Sequence, residues 1–310
     1  MNIIFMGTPE FAVPSLKALH EKYGVKAVFT KVDKPNARGK KINFTPVKEF
    51  ALNNEIAVYQ PNSVKTEETI EIIRGLEPDL IVVVAYGKII PQEIIDIPKY
   101  GIINVHSSIL PKFRGAAPIN AAIVAGDKET GVTIMDIELE LDAGDIIEIK
   151  KTPIYDEDNF ITLHDRLKEI GAEALMEAVE KIFNGTAVRT EQKHSEATFV
   201  KPFKKEDCHI NWNQESQKVY DFIRGMSPFP SVYSFVEGKL LKVIETEKHN
   251  QVYPGKAPGE IVDVIKNRGF VIATKDSSLI LKKLKPENKG IITGADSING
   301  KQLKIGDILQ

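Results

Sequence analysis

Three polar residues set against apolar runs are the features of this chain best suited to chemistry. Asn104 and His106 close the run at 102–105, and Asp142 sits in the turn Leu141-Asp142-Ala143-Gly144-Asp145. A carboxamide donates hydrogen bonds, an imidazole changes protonation near neutral pH, and a neighbouring carboxylate favours the charged ring. Together such groups can hold a reacting carbonyl and stabilise the negative charge that grows on its oxygen, which is the requirement of acyl-type transfer. Strand alternation points Asn104 and His106 to the same side. Ser107 and Ser108 lie beside His106, but without a Gly-x-Ser-x-Gly elbow they do not read as covalent nucleophiles. A His/Asp metal site lacks a third ligand at suitable spacing, so none is expected. A lone histidine is more often satisfied by neighbouring backbone than catalytic, and an Asp beside Gly is often only a turn former. Against that stands the cost of burying a polar Asn-x-His at the end of an apolar strand without a role.

The elements that position these residues read as α/β. Apolar runs at 3–6, 25–29, 57–59, 80–84 and 102–105 alternate with helical spacing at 11–23, 46–53, 66–74 and 117–124. That alternation indicates a doubly wound, mostly parallel sheet, whose carboxyl edge is where ligands bind. From 131 the pattern becomes two β-branched runs, 132–137 and 145–149, joined by a loop at 138–144 that carries Asp142. A long amphipathic helix follows at 161–183 and ends at Asn184-Gly185. These elements make a catalytic domain of residues 1–189, then a polar linker at 190–207. In residues 208–310, a helix at 214–225 precedes short strands at 232–236, 240–246, 259–264, 269–273 and 279–285. That spacing suits a smaller β-barrel domain of the five-stranded oligonucleotide-binding (OB-fold) type.

Gly7-Thr8-Pro9-Glu10-Phe11 follows the first strand but lacks the three-glycine fingerprint, and Pro9-Glu10 would obstruct a pyrophosphate, so no dinucleotide site is expected. Ala85-Tyr86-Gly87 reads either as a strand-end turn or as the lining of a planar ligand site. The formal charge of −2 conceals an uneven distribution. Residues 208–310 carry 15 basic against 11 acidic groups, and residues 1–207 carry 26 against 32. Within that acidic part, Lys31, Lys34, Arg38, Lys40, Lys41 and Lys48 face Asp33 alone. A basic loop and a basic second domain fit an extended polyanion, although lysine-rich loops are commonly just solvated. The single cysteine, Cys208, suits a reducing compartment, the first residues read as a strand rather than a signal peptide, and no apolar run approaches the roughly 20 residues of a membrane span.

The ordered set Asn104-Val105-His106, Ser108-Ile109-Leu110-Pro111, Arg114-Gly115-Ala116-Ala117-Pro118-Ile119, Gly131-Val132-Thr133-Ile134-Met135 and Leu141-Asp142-Ala143-Gly144-Asp145 resembles the signature of folate-dependent formyltransferases. Gly7-Thr8-Pro9-Glu10-Phe11, Arg38-Gly39-Lys40-Lys41, Pro46-Val47-Lys48 and the second domain narrow the resemblance to members that act on methionyl-tRNA. It covers essentially the whole chain. Ile109 stands where the family usually carries leucine.

The resemblance implies transfer of the formyl group of 10-formyltetrahydrofolate to the α-amine of methionine on initiator methionyl-tRNA. It also implies a catalytic trio of Asn104, His106 and Asp142, and a folate contact through Ser108, Ile109, Leu110 and Pro111. The basic loop, with Arg38, Lys40 and Lys41, would meet the tRNA acceptor end. A cytoplasmic monomer with no metal and no membrane partner is expected. The second domain matches more loosely, so its individual RNA contacts do not transfer. Two other readings remain open: the same trio formylating a small amine such as a purine precursor or amino sugar, and an RNA-binding protein without catalysis. The basic loop and second domain favour tRNA over a small amine, and the Asn, His and Asp set favours catalysis.

Overall fold

The computed structural model describes residues 1–35 and 42–310. The chain divides into two compact units that interleave along the sequence. One joins Met1–Gly115, Glu129–Thr152 and His164–Phe199; the other joins Ala116–Lys128, Pro153–Leu163 and Val200–Gln310.

The first unit is built on a seven-stranded sheet of β1 (Ile3–Gly7), β2 (Ala27–Phe29), β3 (Ala57–Tyr59), β4 (Leu80–Val84), β5 (Ile102–His106), β6 (Glu129–Asp136) and β7 (Ile146–Pro153), in the order β7-β6-β5-β4-β1-β2-β3. β1 pairs in parallel with β2 and β4, as do β2 with β3 and β4 with β5. β6 runs antiparallel to β5. This is the mostly parallel sheet read from the sequence. β1 and β4 are buried along their whole length, as strands covered on both faces must be. The chain leaves β1 toward β2 and β3 and then crosses back to β4, so the strand order reverses between β1 and β4. Such a reversal opens a crevice at the carboxyl edge, and β5 ends beside it.

Helices α1 (Val13–Tyr23), α2 (Pro46–Asn53) and α3 (Glu67–Gly75) connect these strands. α2 begins where the sequence demands: Pro46 occupies the first turn and the Thr45 hydroxyl accepts the Lys48 amide at 3.1 Å. Thr66 caps α3 in the same way.

Beyond a single helical turn at Gln92–Ile95 come α4 (Pro118–Val124) in the second unit and the long α5 (Phe160–Phe183). α5 buries Leu167, Leu175 and Val179 on one stripe. Gly171 lets it lie close against the sheet, because a Cβ there would come within 3.2 Å of Val105 on β5.

In the second unit, α6 (Ser216–Met226) crosses α4 closely: a Cβ on Gly225 would lie 2.9 Å from Val124, and the Asn120 amide donates to the Gly225 carbonyl at 2.7 Å. Strands β8 (Val232–Val236), β9 (Lys239–Lys248), β10 (Ile261–Ile265), β11 (Gly269–Ala273), β12 (Ser278–Pro286) and β13 (Ile292–Thr293) precede α7 (Gly294–Asn299). They form an antiparallel sheet in the order β8-β9-β12-β11-β10, with β13 on β12. The five longer strands are those expected from the sequence.

The last residues join the two edge strands. Phe235 on β8 exchanges backbone hydrogen bonds with Gln310 at 2.7 and 2.8 Å, while Ile261 on β10 donates to Asp307 and Leu309 donates to Gly259, both at 2.8 Å. The segment 307–310 thereby closes the sheet into a barrel and satisfies edges that would otherwise offer unpaired backbone groups. Trp212, Ile223, Leu241, Val243, Phe270 and Leu281 belong to its core.

Candidate active site

Asn104 and His106 lie on β5, His106 as its last residue. The antiparallel register sets Asn104 against Met135 and His106 against Thr133 of β6. Asn104 is half-buried, and its carboxamide makes no hydrogen bond among the described residues, so its donors are free for a ligand. His106 is buried. Its Nε2 lies 3.0 Å from the Phe113 carbonyl, which can only accept, so this nitrogen carries a proton. The other ring nitrogen, Nδ1, then faces the Asp142 carboxylate at 3.7 Å.

The loop between β6 and β7 brings Asp142 to the histidine. Asp142 adopts φ +50°, a left-handed conformation that aspartate tolerates better than most residues. Two residues on, Gly144 packs so closely that a Cβ would meet the Asp136 carbonyl oxygen at 2.0 Å. One carboxylate oxygen of Asp142 accepts the Gly115 amide at 2.7 Å. The three residues singled out from the sequence therefore lie on two neighbouring pieces of one unit, with His106 and Asp142 in direct apposition.

Ser108, Ile109, Leu110 and Pro111 leave β5 in a segment tied to the same register. The Thr133 hydroxyl donates to the Ser108 carbonyl at 2.7 Å and accepts the Leu110 amide at 3.1 Å, while the Ser108 hydroxyl donates to the Lys112 carbonyl at 2.6 Å. These backbone and hydroxyl groups are satisfied internally. Ile109 and Pro111 stay partly exposed. Tyr86 does not line an open site: its ring is 1% exposed within the core of the first unit, and its hydroxyl has no partner among the described residues. Burial pushes that phenol up to about 12. For Ala85-Tyr86-Gly87 the strand-end turn is the reading that the Tyr86 side chain supports. Arg38, Lys40 and Lys41 lie outside the described residues. Among the described residues no cluster of His, Cys, Asp and Glu could hold a metal ion.

Sequence reasoning missed Gln192. It lies in the polar stretch that reads as a linker, yet it is 3% exposed, and it is joined to Arg114, 1% exposed. A bridge between Thr190 and Ile146 carries the segment past the start of β7. Gln192 Nε2 then donates to the carbonyls of Asp142 at 2.9 Å and Gly144 at 2.7 Å. The one sequence signal was indirect: Arg114, within an otherwise apolar and small-residue motif, requires a buried acceptor.

Residues 1–179 match the pattern of the family described as formyl transferase, and residues 202–302 match that of the formyl transferase C-terminal domain. The chain belongs to the formyl transferase family. Full-length relatives include the methionyl-tRNA formyltransferase of Fusobacterium nucleatum, 55% identical with 100% of each chain covered. The methionyl-tRNA formyltransferase of Clostridium tetani is 42% identical, again with 100% of each chain covered. Among solved structures, an N-formyltransferase from Helicobacter canadensis in complex with folinic acid and dTDP-3-aminofucose has a TM-score of 0.67 over 91% of this chain and 98% of that one. At 21% identity that likeness is one of fold.

Proposed function

We propose that this protein transfers the formyl group of 10-formyltetrahydrofolate to the α-amine of initiator methionyl-tRNA. The observation that carries the chemistry is the apposition of His106 and Asp142 beside the free Asn104 carboxamide at the end of β5. Identity to methionyl-tRNA formyltransferases along the full chain favours the tRNA acceptor over a small amine.

The folate donor supplies the formyl carbon when bound, and the partly exposed Ile109 and Pro111 would contact its ring. Asn104 donates to the formyl oxygen, where negative charge grows as the amine attacks. His106 is held by its Nε2–H bond to Phe113 and turns Nδ1 toward the Asp142 carboxylate, 3.7 Å away. One C–N bond forms to the methionine nitrogen and the bond from formyl carbon to N10 breaks. The proton lost by the amine goes to N10, with Asp142 the base that relays it. Arg38, Lys40 and Lys41 approach the acceptor end of the tRNA. Action as a monomer is part of this proposal. No helix among the described residues is long and apolar enough to cross a membrane. Action on methionyl-tRNA, a substrate of translation, supports a cytoplasmic location.

The deciding experiment supplies purified protein with 10-formyltetrahydrofolate and either methionyl-tRNA or a dTDP-amino sugar. Formyl-methionine released from the tRNA supports the proposal. Formylation of the sugar with methionyl-tRNA left untouched overturns it.

A further inference from the structure

We propose that Gln192 is a positioning residue for Asp142, and that Arg114 dictates which way the Gln192 amide faces. This rests on the reading of Asp142 as part of the reaction centre. Arg114 has only donors to offer. Its Nε and one terminal nitrogen both reach Gln192 Oε1, at 3.2 and 2.8 Å. The carboxamide oxygen is therefore turned toward Arg114, and Nε2 is left facing the Asp142 loop. There it donates to two carbonyls, of Asp142 at 2.9 Å and Gly144 at 2.7 Å. The reverse orientation would set an amide N–H₂ against a guanidinium and an oxygen against two carbonyls.

Arg114 is itself held from other directions. His194 Nδ1 lies 3.1 Å from it, Glu140 lies 3.3 Å away, and Phe199 lies under the guanidinium at 5.9 Å. Its backbone amide is fixed to Thr198 at 2.8 Å. The next residue, Gly115, donates to the Asp142 carboxylate. Asp142 is thus held twice: its side chain by the Gly115 amide and its backbone by Gln192, with Arg114 behind both. A left-handed turn beside a glycine needs such holding, since nothing in a loop of that conformation otherwise selects one carboxylate position.

Gln192→Glu separates positioning from simple packing. A carboxylate keeps the Arg114 partner, now as an ion pair, and has nearly the same volume, but it cannot donate to the Asp142 and Gly144 carbonyls. The expected result is a kcat reduced on the order of a hundredfold, as for a displaced catalytic group, with KM for methionyl-tRNA within about twofold of wild type. Gln192→Ala is expected to lower stability as well, because it leaves Arg114 without its acceptor. The Gln192→Glu loss should vanish in an Asp142→Asn background, since the two residues act as one device. Losses that simply add in the double variant overturn the proposal, as does Gln192→Glu with wild-type kcat.

Amide hydrogen exchange over 140–145 gives a substrate-free reading. It should quicken in Gln192→Glu while the rest of the sheet is unchanged, and unaltered exchange there also overturns the proposal. Wild-type protein that fails to formylate methionyl-tRNA defeats the functional reading alone, because the exchange experiment still decides whether Gln192 holds the loop.

Discussion

His106 and Asp142 are oriented by the same three-residue stretch. Phe113 accepts from His106 Nε2 at 3.0 Å and Gly115 donates to the Asp142 carboxylate at 2.7 Å, so one piece of backbone fixes the imidazole and its counter-charge together. The 3.7 Å between Nδ1 and the carboxylate oxygen is therefore set by one rigid reference rather than by two independent loops. Preorganisation of this kind is what makes fixed charges effective, because no reorganisation is needed when charge develops on the substrate.

Removing the Asn104 donor, or the His106 ring that faces Asp142, should weaken the step that builds that charge. Asn104→Ala and His106→Ala are each expected to lower kcat on the order of a hundredfold or more, the usual loss of about 3 kcal/mol for one preorganised group. The Asn104 carboxamide makes no hydrogen bond among the described residues, so its variant should unfold within about 0.5 kcal/mol of wild type. His106→Ala leaves the Phe113 carbonyl without its partner and should cost about 1 kcal/mol more. Single-turnover formylation together with urea unfolding checks both. Near-normal turnover in a folded His106→Ala protein contradicts the assignment.

Gly144→Ala should break the site through the backbone. The added Cβ would sit 2.0 Å from the Asp136 carbonyl oxygen, a clash with main chain that no side-chain rotation relieves. The loop must move, taking Asp142 with it. Stability should fall by several kcal/mol, about 3 or more, and residual folded protein should show the kcat loss of an Asp142 variant. Thermal unfolding and kinetics on the soluble fraction provide the test, and a fully active, stable Gly144→Ala protein counts against the packing described here.

Much of this is legible in the amino-acid sequence. α2 spans the residues its pattern proposed because Thr45 and Pro46 start a helix by local chemistry, and β5 ends at His106, the polar residue that closes the apolar run. The approach of Asp142 to His106 was not legible, since 36 residues separate them and the meeting depends on the antiparallel β5–β6 register and on a left-handed turn. Gln192 was invisible for another reason. A polar residue in a polar, aperiodic segment carries no pattern, and only its bonds to Arg114, Asp142 and Gly144 reveal it. Strand β2 begins at Ala27 rather than at Val25, because the Val25 amide is taken by the His20 ring at 3.3 Å.

Tyr86 should give the protein an alkaline weakness. Its phenol is pushed up from 10 to about 12 by burial, so the folded chain keeps the proton after the unfolded chain has begun to lose it. The stabilisation is complete below pH 10 and declines from there toward pH 12, by on the order of 2 kcal/mol in all. Tyr86→Phe removes the titration and also removes a buried hydroxyl that has no partner among the described residues. It should match or exceed wild-type stability at pH 8, and the gap should widen in its favour above pH 10. Urea midpoints across that range test the sign; a gap that narrows with rising pH contradicts it.

Arg38 is the place to test the proposed tRNA contact, since it belongs to the basic run at 31–48 that opposes six cations to Asp33 alone. A cation that neutralises one phosphate releases a counterion, and the logarithm of affinity then falls with the logarithm of salt concentration. The slope is about 0.9 per contact on duplex and about 0.7 on single strands. Arg38→Ala should therefore lower kcat/KM for methionyl-tRNA and reduce the magnitude of its salt slope by about that amount, while KM for the folate donor stays unchanged. Arg38→Lys keeps the charge and should restore the slope even where it does not restore the rate, because an ammonium cannot reproduce a bidentate guanidinium contact. Steady-state kinetics between 50 and 200 mM salt separate the cases. A salt slope identical to wild type in Arg38→Ala shows that this arginine meets no phosphate.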